Sequence, residues 1–155
     1  AQEAGLPSLA VDATALATGT QSVAQLADWA ISQPYDAVPV IYSSVAPDLL
    51  ERLRTQRASH DIGALIEQTL AGLAVSLRDA GFCRFVIAGG ETSGAVVAAL
   101  GVKTLEIGPE IDPGVPWTRS VGSHDLALAL KSGNFGSADI FSRAFTLLQP
   151  DIRHE

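Results

Sequence analysis

Residues 86–100 read VIAGGETSGAVVAAL: an apolar run, two glycines, three polar residues, a further glycine, and a second apolar run. A strand that leaves the core through Gly89 and Gly90 and turns at once into a helix has its first helical N–H groups unpaired within the helix. Such groups can hold an anion. The segment RFVIA, 84–88, supplies the strand, residues 93–100 the helix, and Gly101 its end. This strand–turn–helix unit sets the reading of everything on either side of it.

Upstream, SLAVD (8–12) reads as a short strand. SVAQLADWAISQ (22–33) places Val23, Leu26, Ala27, Ala30 and Ile31 at helical spacing, and Pro34 stops it. AVPVIYSS (37–44) is a β-branched strand ending in two serines, and Pro47 with Asp48 opens a helix toward Gln56. A longer helix over 61–80 carries the stripe Ile62, Leu65, Ile66, Leu70, Leu73 and Leu77, with Gly81 as its C′ residue. Downstream, KTLEIG (103–108) is a strand. IGPEIDPGVPWT (107–118), with three prolines and two glycines, is expected to be a stiff loop rather than a regular element. LALALK (126–131) is an apolar strand, and IFSRAFTLLQ (140–149) a last helix before Pro150.

Strands and helices alternate without an internal repeat. The pattern predicts one α/β domain over 1–155, a Rossmann-like layered sandwich with a largely parallel sheet and helices on both faces. Its ligand crevice is expected beyond the carboxyl ends of the strands. Four strands stop at YSS, AGGETSG, IGPEIDPG and LKSGNFG, all small, polar or turn-forming, as close backbone approach by a ligand requires.

At 155 residues and 47% hydrophobic, the chain is long enough for one real core. No run reaches the roughly 18 apolar residues a membrane helix needs, and AQEAGLPSLA is no signal peptide, so a soluble cytoplasmic protein is expected. The chain contains no Met, initiator included, which leaves open that it is part of something longer. The net charge is −7 and the ten Lys and Arg residues form no block, which argues against nucleic acid as a partner. Cys83 stands alone, fits a reducing compartment, and is expected to be a small buried hydrophobe rather than a nucleophile. His60, His124 and His154 fall in polar surroundings and in no nucleophile or zinc motif.

Two phosphate patterns can be laid on GGETSGAV. The dinucleotide fingerprint fits Gly89 and Gly94 but places Glu91 where its second glycine must admit the pyrophosphate. The Walker spacing also fits, yet Ala95 and Val96 stand where Lys and Ser or Thr belong. Lys131, ending another strand, can supply the cation in three dimensions. Glu91 opposes phosphate unless Mg²⁺ lies between them or its side chain turns outward to a loop or a ribose. The plainer alternative is helix capping by Thr92 or Ser93. In SGNFG, Gly133 and Gly136 can take positive φ and Asn134 can bond a base or sugar edge; an ordinary turn with Phe135 in the core is the alternative. Glu110 and Asp112, two apart, suit metal–water ligation or simple turn chemistry. Trp117 can flank an adenine or anchor the loop.

Three stretches together, AGGETSGAV (88–96), IGPEIDPGVPW (107–117) and LALKSGNFG (128–136), resemble the signature of the four-carbon acid sugar kinases, which include 3-oxo-tetronate, threonate and erythronate kinases. The likeness extends back through VPVIYSSVAPD (38–48) and to SLAVD, covering nearly all of the chain. It implies a C-terminal nucleotide-binding domain of such a kinase, a transferase of carbohydrate metabolism. In that family an N-terminal domain binds the sugar acid and ATP lies between the halves. Nothing here resembles that N-terminal domain, so the chain looks like half an enzyme, inactive alone, with the N-terminal domain as its partner and the catalytic base there. Homo-oligomerisation is left open. Carried over by position, Ser43 and Ser44 (Ser44 favoured), Gly89, Gly90, Glu91 and Thr92, and the loop from Gly133 to Gly136 are expected to contact ATP or ADP. Ser93, Gly94, Lys131 and Asn134 join that set, and Glu91, Glu110 and Asp112 are the candidates for organising Mg²⁺. The competing functions are a nucleotide-binding docking module without turnover and, disfavoured by Glu91, a dinucleotide-dependent oxidoreductase.

Overall fold

The computed structural model describes residues 5–43, 58–122, 124–132, 136–137 and 139–147, with the backbone alone for 58–61. The expected helix from 47 to 56 and the positions of Ser44, Gly133, Asn134, Phe135 and His154 lie outside the described residues, as does the side chain of His60.

Strand β1 (Ser8–Val11) pairs in parallel with β2 (Val40–Ser43), from Ser8 opposite Val40 to Val11 opposite Ser43. Between them lie two helices. The short α1 (Ala13–Ala17), which the hydrophobic pattern does not announce, is held by its cap: the Asp12 carboxylate accepts from Thr14 N at 2.8 Å and Ala15 N at 3.1 Å. Ser22 caps α2 (Val23–Ile31) through Gln25 N, and the helix buries Leu26, Ala27 and Ala30, as the spacing predicts.

The long helix α3 (Ala58–Asp79) begins ahead of the expected Asp61. It ends in a Schellman arrangement, with Phe82 N bonded to Leu77 O and Gly81 N to Arg78 O. Helix α4 (Gly90–Ala99) ends the same way through Gly101 and Val102. Both C′ glycines are legible in the sequence.

The second sheet contains β3 (Arg84–Ala88), β4 (Leu105–Asp112), β5 (Val115–Ser120) and β6 (Ala127–Lys131), in the order β3-β6-β5-β4. β3 and β6 are parallel, while β5 is antiparallel to both β6 and β4. Three of the four strands therefore run one way and only β5 is reversed, so the carboxyl ends of β3, β4 and β6 share a rim. Layers cover both faces. Ile87 and Leu128 turn to α3 and α4 in a cluster with Ala74, Val96 and Leu100, whereas Val86 and Ala129 turn to α5 (Ile140–Leu147) with Ile140 and Ala144. A further cluster joins Val11, Leu26 and Leu73, with Phe85 packed against it.

The expected stiff loop at 107–118 is instead the β4–β5 hairpin. Two of the three prolines, Pro109 and Pro113, escape the usual prohibition by position. Pro109 lies on the edge strand where the register shifts between Ile107 and Glu110, a place that tolerates a missing donor. Pro113 and Gly114 form the two-residue turn, proline with its fixed φ first and Gly114 at φ 78° second. Trp117 is a buried anchor: its indole N–H donates to Ala144 O at 3.0 Å and its ring meets Phe145 edge-on at 5.8 Å. The small Ala129 stands opposite it across the ladder. Cys83, just before β3, is exposed, contrary to the expectation of burial.

Trp117→Phe keeps the aromatic contact but leaves the Ala144 carbonyl without its donor. Urea unfolding of that variant should show a loss of about 1–3 kcal/mol, with the sheet otherwise intact.

Candidate functional site

Beyond the carboxyl ends of β3 and β6, Gly89 N donates to Lys131 O at 2.9 Å, drawing the two strand-to-helix turns together. A cleft of about 220 Å³ opens there, lined by Gly90 and Ser93 of α4, Gly114 of the hairpin, and Leu130, Lys131 and Ser132 of the β6 exit. Drug-sized ligand pockets begin near 300 Å³. The cleft formed by the described residues is smaller than that.

The local backbone keeps this cleft open. Gly89 is the N-cap residue at φ 109° and ψ 130°, a conformation that an L side chain resists. Helix α4 consequently starts at Gly90, not near residue 93, and neither Thr92 nor Ser93 caps it; no side chain does. Ser93 N bonds to Gly89 O at 2.8 Å, while the N–H groups of Gly90, Glu91 and Thr92 precede the first intrahelical bond. A Cβ on Gly90 would meet nothing within 4 Å, so that residue leaves ligand space rather than relieving a clash. Among the described residues, Ser93 Oγ is buried without a hydrogen-bond partner. A buried hydroxyl at the positive end of a helix, left unsatisfied by protein, fits an incoming anion.

The sequence-predicted residues divide into three groups. Gly90, Ser93 and Lys131 line the cleft, and Gly89, Glu91 and Thr92 lie on the same turn, Glu91 exposed. Gly94 is exposed on the next part of α4 and does not line the cleft. Ser43 ends β2 in the separate two-stranded sheet, and it too is no part of the lining. Gly136 has the expected positive φ, 87°. His124 is exposed, its carbonyl accepting from Ser120 Oγ.

The proposed metal trio does not assemble: among the described residues no three Asp, Glu, His or Cys side chains converge. Glu110 Oε1 accepts from Gly114 N at 2.8 Å. Asp112 Oδ2 accepts from Ser137 N at 2.6 Å and Ser137 Oγ at 2.8 Å, and its Oδ1 is paired with Arg143. These donors hold the Asp112 carboxyl below the ordinary carboxylate range, the Ser137 amide foremost, then its hydroxyl, then Arg143, against the opposing effect of desolvation. Sequence reasoning missed Gly114, Leu130 and Ser132 as cleft residues, although DPG and LKS were in view as strand ends. Ser137 and Arg143 carried no signal linking them to Asp112.

A family model described as a nucleotide-binding C-terminal domain matches residues 1–141. The chain belongs to that family. Among curated relatives, this nucleotide-binding domain is 49% identical to a 3-oxo-tetronate kinase of Pseudomonas fluorescens and 46% identical to one of Burkholderia multivorans, in each case over 92% of this chain and 33% of the relative. It thus spans about a third of the length of the curated relatives it matches. A crystal structure of a Haemophilus influenzae protein superposes on the nucleotide-binding domain with a TM-score of 0.84 at 38% identity, covering 93% of this chain and 35% of that one. No helix among the described residues is long and apolar enough to cross a membrane.

The depressed Asp112 pKa gives a signed pH dependence. Stability from its ionised form is complete above the unfolded-state value and is lost as pH falls through the lower folded-state value. The stability margin of the native chain over Asp112→Asn, measured in urea, should hold steady from neutral pH to about 5 and close below about 4.

Proposed function

We propose that the chain is the ATP-binding domain of a kinase that phosphorylates a four-carbon acid sugar, 3-oxo-tetronate being the first candidate. The observation that carries this reading is the rim itself: an uncapped helix start, the unpartnered Ser93 hydroxyl and Lys131 around one cleft. Family membership and the names of the relatives supply the chemistry.

On this reading the N–H groups of Gly90, Glu91 and Thr92 and the Ser93 hydroxyl donate to phosphate oxygens, and Lys131 faces their charge from the β6 side. Phosphoryl transfer needs mainly alignment and charge neutralisation, which such fixed donors provide without a Walker lysine in the loop itself. The described residues form no protein cage for a metal, but Mg²⁺ carried by a nucleotide needs only one or two carboxylates, and exposed Glu91 on the cleft's helix is available. Bound there, the ion would offset charge between the phosphates and Glu91.

The sugar acid and the base that takes its proton belong to the two thirds of the relatives' length that this chain does not match. The chain alone therefore binds nucleotide without turnover, its partner is the substrate-binding domain, and the setting is cytoplasmic, in keeping with the exposed, unpaired Cys83. No observation favours the dinucleotide alternative.

Titration with Mg-ADP should saturate for the native chain. Gly90→Val, whose Cβ meets nothing within 4 Å, should fold with little change in stability and lose binding at least about tenfold; equal affinity would remove the cleft from the site. Gly89→Ala should behave oppositely, with a cost in stability of about 1–3 kcal/mol from the strained backbone before any effect on binding is considered.

A further inference from the structure

We propose that Glu110 and Asp112 are positioning residues of the cleft, fixing the tip of the β4–β5 hairpin, and with it the Gly114 wall, against the start of α5 without touching the ligand. The inference rests on the nucleotide reading for what the cleft holds, but its geometry stands apart from that reading.

Glu110 braces the turn from within the hairpin, its Oε1 accepting the Gly114 N–H at 2.8 Å. Asp112 fastens the turn from outside. Its Oδ2 takes both the backbone N–H and the hydroxyl of Ser137, 25 residues on, and its Oδ1 takes Arg143 from within α5. The Arg143 guanidinium also donates to Ile111 O at 3.0 Å, so one side chain grips two successive hairpin residues. Gly136 is pressed into the same junction. A Cβ there would lie 2.5 Å from Ile140 Cδ1 and 3.6 Å from Asp112 Oδ2.

These contacts already engage both oxygens of Asp112. Asp112 is largely buried, with 11% of its side chain exposed, and has donors on both oxygens, one of them already a cation. A second cation would face that guanidinium. What the arrangement does is set position: Gly114 lies two residues beyond Asp112 on a two-residue turn, so any shift of the tip moves a wall of the cleft. A misplacement of about 1 Å matters where a ligand is held by fixed donors.

The test compares Asp112→Ala, Asp112→Asn and Glu110→Ala with Val11→Ala, a buried change in the β1–α2–α3 core remote from the cleft. Mg-ADP affinity, melting temperature and amide exchange are read for each. Asp112→Ala and Glu110→Ala should weaken Mg-ADP by about tenfold, and Asp112→Asn, which retains an acceptor for Ser137, by less. Val11→Ala should lower the melting temperature and leave affinity unchanged. Exchange should quicken at Ser137 N–H in Asp112→Ala and at Gly114 N–H in Glu110→Ala. Native affinity in both alanine variants, or an equal loss in Val11→Ala, overturns the proposal. Should the native chain bind no Mg-ADP, the nucleotide reading fails by itself, and the exchange data decide the junction: unchanged protection of both amides overturns it, and selective loss supports it. Glu110 is exposed, so its variant tests the brace even if Asp112→Ala does not fold.

Discussion

The hydrogen bond from Gly89 N–H to the carbonyl of Lys131, the last residue of β6, carries the parallel β3–β6 pairing one step past the end of β3. Parallel pairing is the constraint from which the site follows. Two parallel neighbours must deliver their carboxyl ends to the same rim, so the turn after each arrives beside the other whatever its own sequence prefers. The hairpin then reverses direction twice, through β5 and β4, and brings the turn at Pro113 and Gly114 back to that rim. Had β6 been reversed, Lys131 and Ser132 would lie a strand's length from Gly90.

Burial on both faces holds this register. Leu128 and Ala129 are consecutive on β6, both fully buried, and point into different clusters. A one-residue slip would exchange them, placing leucine against Trp117 and alanine in the space between the sheet and α3 and α4. The cost of overpacking one side and emptying the other fixes the alignment. Because the strands are set by the core, the donors at their ends are in place before a ligand arrives. Little ordering is left to oppose binding.

This division also explains what the sequence disclosed. Helix stripes and the C′ glycines Gly81 and Gly101 were legible because each depends on residues within one or two turns of itself. The glycine turn at 89–94 was legible for the same reason, while its start was misplaced by three residues: the polar Thr92 and Ser93 resemble caps, but the unusual backbone of Gly89 supplies the boundary. The hairpin was hidden because proline reads as a breaker until the strand is known to be an edge with shifted register, and that is a property of the sheet. The same holds for Cys83, whose exposure is decided by what packs beside it. Ser137 and Arg143 were hidden more deeply, since no periodicity connects them to a carboxylate in another element.

Charge sharpens the reading of the site. The chain carries a net charge of −7, and its overall field opposes a polyphosphate. On the proposed reading, attraction would therefore be local, from the start of α4 and from Lys131, over distances shorter than the roughly 8–10 Å at which salt screens the remainder. Glu91 subtracts from that local attraction, being acidic in the first turn of the same helix. On the proposed nucleotide reading, a site so balanced would favour metal-bound over free nucleotide, since Mg²⁺ would lower the ligand's charge and offset Glu91. On that reading the missing loop cation and the presence of Glu91 are two sides of one arrangement, in which fixed backbone donors would orient the phosphates and a metal brought with them would supply the remaining charge.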